Sequence, residues 1–122
     1  MSSTVKKIYY LSTCSTCARI IDELGLRKKK FEFQDIKTEP ITAKQLDEMK
    51  KLTGSYEALF SRVALKYRAM KLNERDLSEK EMRDLILKEY TFLKRPVIII
   101  GSHIFIGSAK KNIAAAGQAV NA

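Results

Sequence analysis

The sequence predicts an α/β fold in which a β-α-β unit and a β-β-α unit flank an all-helical segment. Three observations predict it. A strand-like run, VKKIYYL at 5–11, leads into helical spacing at Cys17, Ile20, Ile21 and Leu24, and FEFQDI at 31–36 reads as strand again. Residues 38–90 carry only helix signals. Val97-Ile98-Ile99-Ile100, a Gly101-Ser102 link and Ile104-Phe105-Ile106 then read as a tight hairpin, after which Gly107-Ser108 open a last helix through Ala116.

Each element has a local reason. The first strand is rich in Val, Ile and Tyr, which fit a pleated, half-buried surface. Ser12 and Thr13 are helix-capping types, which places Cys14 in the first helical turn, and Gly25 stands where a left-handed C-terminal residue belongs. Two strands joined through one helix should lie parallel, with a right-handed crossover. Thr42-Ala43-Lys44-Gln45 is a capping box with Ile41 and Leu46 as its staple; Leu46, Met49 and Leu52 supply an apolar face that Gly54 ends. Ser78-Glu79-Lys80-Glu81 repeats the device with Leu77 and Met82, and its acids suit the start of a helix. Between the boxes, SYEALFSRVALKYRAM has helical spacing at Tyr56, Leu59, Phe60, Val63, Tyr67 and Met70, as one helix or two short ones. The last helix should turn Ala109, Ile113 and Ala116 inward, with the tail after Gly117 frayed.

At 122 residues the chain makes one domain, 1–122, with 38–90 as a helical insertion within it. Nothing near the N-terminus reads as a secretion signal, and no segment reaches the ~20 apolar residues that span a bilayer. The expected compartment is the cytoplasm, with no membrane association, where structural disulfides are rare. The net charge is +9, but residues 38–89 hold 11 Lys/Arg against 10 Asp/Glu, so the excess lies in the parts that carry the cysteines. Lys28-Lys29-Lys30 reads most simply as a solvated turn. No RNA-binding motif or recognition-helix pattern accompanies the charge, and no direct nucleic-acid contact is expected.

The two cysteines are Cys14 and Cys17, in LSTCSTCARI at 11–20. A structural zinc site needs four ligands, and the chain adds only His103, so no metal is expected. Two alternatives stay open: redox chemistry, or two small cysteines filling a core. Position favours the first. A thiol in the first turn of a helix meets unpaired N–H groups and the positive end of the dipole, which favour the thiolate. Cys14 is then the nucleophile and Cys17, one turn on, the resolving thiol. His103 falls in the hairpin, at a turn or surface position.

Without its insertion the element order is βαβ-ββα, the minimal thioredoxin-like fold, with the Cys pair at the strand-to-helix turn. In that fold a cis-proline faces the redox pair, and Arg95-Pro96 stands at the matching place. The chain resembles the arsenate reductase-like family of bacteria, which includes glutaredoxin-coupled arsenate reductases and Spx-type transcription regulators. The resemblance rests on Cys14-Ser-Thr-Cys17, on Phe60-Ser61-Arg62, and on Leu93-Lys94-Arg95-Pro96-Val97-Ile98 followed by a hairpin and Gly107. It implies that Cys14 attacks an arsenic oxyanion or a disulfide, and that Arg62 and Arg95 stabilise the charge. Glutathione and glutaredoxin would act as reductants, with no bound cofactor. Ser15, Arg19, Pro96, Lys110 and Lys111 are anion-binding or structural candidates. The chain departs from the reductases twice. Lys110 and Lys111 stand where a third arginine is expected, and lysine lacks the bidentate fork. The second cysteine belongs to the Spx branch, whose partner is the RNA polymerase α subunit, although the C-terminal NIAAAGQAVNA has no charged tail. Three readings follow: a thiol reductase, a redox-sensing regulator, or a fold relic with structural cysteines.

Overall fold

The computed structural model describes residues 5–121. Four strands, β1 (Lys6–Tyr10), β2 (Glu32–Asp35), β3 (Val97–Ile100) and β4 (His103–Ile106), form one sheet in the order β2-β1-β3-β4. β1 runs parallel to β2 and antiparallel to β3, and β3 and β4 make the hairpin. With α1 (Ser15–Leu24) and α5 (Lys110–Val120) these strands give the thioredoxin-like βαβ-ββα order. The chain divides into two compact units, one running to Glu39 and resuming at Arg95, the other Pro40–Lys94.

The first unit holds the sheet. Its core joins Ile8 of β1 and Ile98 of β3 to Ile20 and Ile21 of α1, with Leu26, Phe31 and Ala116 completing it. The β1–β2 pair adds an edge-to-face contact between Tyr10 and Phe33, centroids 5.8 Å apart. α1 ends on Gly25 at φ 63°, where a left-handed residue returns its N–H to the carbonyls of Ile21 and Asp22.

The sequence-based expectations for α5 fail at both ends. Ala109, not Ser108, precedes the first turn and is exposed, while the Asn112 side chain donates to the Gly107 carbonyl at 2.8 Å. The helix also passes Gly117 and continues to Val120. A glycine costs about 1 kcal/mol inside a helix. Here a Cβ on Gly117 would stand 3.3 Å from Cδ2 of Leu24, so its bareness lets α5 approach α1, and Val120 packs on the core beyond it. That burial outweighs the propensity penalty.

The second unit holds α2 (Ala43–Thr53), α3 (Leu65–Ala69) and α4 (Glu79–Lys88), with 3₁₀ turns at Glu57–Leu59, Leu72–Glu74 and Tyr90–Phe92. Both capping boxes form. Thr42 and Ser78 accept from the backbone N–H of Gln45 and Glu81, whose side chains reach back to the cap N–H groups. Asp47 ties α2 to α4: Arg83 reaches both its oxygens at 2.8 and 3.1 Å, and the Tyr56 hydroxyl donates at 2.6 Å. Those bonds, Arg83's first, hold the Asp47 carboxyl down to about 2.

The spacing over residues 56–70 proves misleading. Phe60 is extended and bridges to Leu93, while Ser61 N–H donates to Phe92 and Lys94 N–H to Leu59, at 2.7 and 2.8 Å. The Phe60 ring stacks on Phe92 at 5.3 Å. This long-range pairing wins over the local helical pattern, and it leaves Val63 and Met70, two of the supposed inward positions, exposed. Leu52, assigned to the apolar face of α2, is exposed as well.

Thr42→Ala and Ser78→Ala should each lower unfolding free energy by about 1 kcal/mol in equilibrium urea denaturation. Unchanged midpoints in both would mean that neither cap sustains its helix.

Candidate functional site

The site begins where β1 stops. Tyr10 still offers its carbonyl to Ile36 N–H at 2.9 Å, and the chain then turns so that Cys14 N–H reaches the Leu11 carbonyl at 3.0 Å. Asp35, the last residue of β2, holds this turn in place. Its Oδ1 accepts from the backbone N–H groups of Ser12 and Lys37, each at 3.2 Å. Burial would raise the Asp35 carboxyl, but these bonds, the Ser12 hydroxyl and the Lys37 charge bring it below the usual carboxylate range.

Asp35 does not stand out among the candidate residues of the sequence. The available signal was an aspartate two residues before Lys37 at a strand end, a spacing at which a carboxylate bonds its own downstream backbone. What could not be read from the spacing is the second bond, across 23 residues to Ser12.

α1 starts one residue after Cys14, so Cys14 is the N-cap, not a first-turn residue as the capping types at 12 and 13 suggested. Its backbone is extended, at φ −94° and ψ 113°, and the side chain is half-buried. The reason is that Ser12 N–H is taken by Asp35 and Cys14 N–H by Leu11, which defers the first helical residue to Ser15. Burial alone would raise the Cys14 thiol. Hydrogen bonding from the Cys17 and Thr16 backbone and from the Cys17 thiol, together with the charge of Arg95, outweighs it and lowers the thiol below its ordinary 9.0. Cys17 lies in the fully buried face of α1 with Ile20 and Ile21. Its thiol is pushed up to about 11, first by burial and then by the neighbouring Cys14 charge, against opposing contributions from Leu11 and Arg95.

The fold thus brings Cys14, Cys17 and Arg95 together. The Arg95–Pro96 peptide is cis, and the buried Pro96 accepts from Gly107 N–H at 2.9 Å as β3 begins. Ser15 is exposed at the start of α1, and Lys110 and Lys111 are exposed at the start of α5. Arg19 points to solvent and pairs with Glu23 at 3.2 Å. His103 is exposed at the start of β4, across from Ile100.

Arg62 belongs to the second unit, in the irregular stretch between a 3₁₀ turn and α3 and not on an amphipathic helix. Its guanidinium donates to the Tyr67 hydroxyl at 3.2 Å and to Glu57 at 3.1 Å, and it lies over the rings of Phe60 and Tyr67. Tyr67 first, then Glu57, raises its affinity for the proton. Among the described residues no three His, Cys, Asp or Glu side chains cluster as metal ligands, and no helix is long and apolar enough to cross a membrane.

A model of the ArsC family matches residues 9–116, a span that includes both cysteines, Arg62, Arg95 and the lysines of α5. The chain belongs to the ArsC family. Among solved structures it is similar to an arsenate reductase from Vibrio cholerae, with a TM-score of 0.77 at 13% identity over 93% of this chain and 98% of that one. It is also similar to an arsenate reductase (ArsC) related protein from Brucella melitensis, with a TM-score of 0.71 at 24% identity over 94% of this chain and 96% of that one. At such identities the likeness is one of fold. No curated protein matches the chain.

Within this ArsC-family site the two thiols should separate cleanly by reactivity. At neutral pH, iodoacetamide should modify Cys14 well before Cys17, whose proton stays on until the pH nears 11. Peptide mapping that finds equal labelling, or Cys17 labelled first, would contradict the assignment.

Proposed function

We propose that this ArsC-family protein is a cytoplasmic thiol-based reductase in which Cys14 attacks an oxyanion, arsenate by family resemblance, or a disulfide. The observation that carries the reading is the pair of opposed thiols. One is biased toward the anion by a helix start and Arg95, and the other sits beside it with its proton retained. With arsenate, the Cys14 thiolate forms a sulfur–arsenic bond and an oxygen leaves as water. Cys17 then attacks the Cys14 sulfur. The sulfur–arsenic bond breaks, its electron pair stays on arsenic, and arsenic(V) becomes arsenic(III) as the two thiols become a disulfide. Glutathione with glutaredoxin returns two electrons to that disulfide. Capping Cys14 also removes the negative charge that helps keep Cys17 protonated, so the resolving thiol becomes easier to ionise at the moment it is needed.

The guanidinium of Arg95 suits a tetrahedral oxyanion, which it can meet with two parallel N–H groups. Arg62 joins it in this proposal on the strength of the family resemblance. Ser15, Lys110 and Lys111 supply a hydroxyl and two cations for anion approach, and Arg19 is assigned to the helix surface, where it is exposed and pairs with Glu23 one turn on.

A second reading is favoured by Cys17 itself, because a vicinal pair can serve as a redox switch. In it the protein is an Spx-type regulator that meets the RNA polymerase α subunit in a redox-dependent way. Arsenate-dependent oxidation of NADPH in a glutathione–glutaredoxin coupled assay should be lost in Cys14→Ser, and Arg95→Gln should lower kcat/KM by about 100-fold. Absence of turnover in wild type, together with oxidation-dependent capture of the polymerase α subunit, would replace the first reading with the second.

A further inference from the structure

The sheet carries a second concavity that the thiol chemistry does not use. A cavity of about 510 Å³ is lined by Lys6, Phe31, Ile100, Ser102, His103 and Val120, with Gly101 and Ala119 closing it. Its size falls within the ~300–1,000 Å³ typical of small-molecule sites. Lys6 opens β1, whereas Cys14 lies beyond the other end of that strand. Five residues of strand, about 17 Å, therefore separate the two places.

The lining is divided by chemistry. Phe31, Ile100, Ala119 and Val120 are apolar, while Lys6, His103 and the Ser102 hydroxyl supply hydrogen-bond donors. Among the described residues Lys6 forms no ion pair, whereas its neighbour Lys7 does. Glu32, next to Phe31 in sequence, is engaged by Lys7 at 3.0 Å. An apolar floor beside the Lys6 ammonium and the Ser102 hydroxyl selects for a ligand with a hydrocarbon body and one negative head.

We infer that this cavity binds a small amphipathic monocarboxylate, tail against Phe31, Ile100 and Val120, carboxylate toward Lys6 and Ser102. The site is independent of the reductase reading, since none of its residues takes part in the thiol chemistry.

The test is a titration of the full chain with octanoate followed by ¹H–¹⁵N spectra, with 1-octanol as the neutral ligand of equal tail. Octanoate should shift Ile100–His103 and Ala119–Val120 saturably and leave Cys14–Cys17 in place. Octanol should bind about fivefold more weakly, and Lys6→Glu, at an exposed position, should weaken octanoate to a similar extent of about fivefold. Ala119→Trp, which fills the cavity, should weaken it by about tenfold or more. Absence of saturable shifts, equal binding of octanol, indifference to Lys6→Glu, or shifts centred on the Cys14 turn would each overturn the proposal.

Discussion

A sulfur atom at the beginning of α1 is the constraint on which the site depends. Cys14 occupies the position where most helices place an oxygen-bearing cap, so the backbone N–H groups of Thr16 and Cys17 lie beside a sulfur that closes no full cap hydrogen bond. A thiolate satisfies those groups better than a neutral thiol does, and the helix dipole and Arg95 act in the same direction. The partly buried setting opposes them, because desolvation disfavours charge. The downward shift is the resolved balance of these effects. It depends on the turn at 11–14 being held, which is the part Asp35 plays from the end of β2.

The same constraint explains the difference between the two cysteines. They are three residues apart on one helix and feel the same arginine, yet move in opposite directions. Cys17 is fully buried among isoleucines and sits beside a sulfur already inclined to be negative. Two anions cannot be accommodated side by side at low dielectric, so one thiol keeps its proton. A pair with this division of labour suits a two-step reaction, in which the first sulfur attacks and the second is released for use once the first is capped.

Much of this architecture was legible in the residues. The strands, the hairpin, the order βαβ-ββα, both capping boxes and the place of the Cys pair follow from short-range patterns that the structure obeys. What could not be read were the outcomes decided across long stretches of chain. The helical spacing through Phe60, Val63 and Tyr67 gave way to a bridge with Leu93 and stacking on Phe92. The start of α1 was moved from the capping types at 12 and 13 to Cys14 by a hydrogen bond from Ser12 to Asp35. α5 runs past Gly117 because the bare glycine clears Leu24 and Val120 packs on the core beyond it. In each case a contact remote in sequence overrode a sound local preference, and the candidate site itself is assembled from pieces some 80 residues apart, Cys14 and Arg95.

The most direct measurement is the pH titration of Cys14 thiolate, followed by its ultraviolet absorbance with Cys17 kept in place, in wild type and in Arg95→Gln. Removing a positive charge beside a thiolate raises the pKa. Wild type should therefore show a first ionisation below 9.0 and the variant a higher midpoint. A first midpoint at or above 9.0, or one that Arg95→Gln leaves in place, would contradict it.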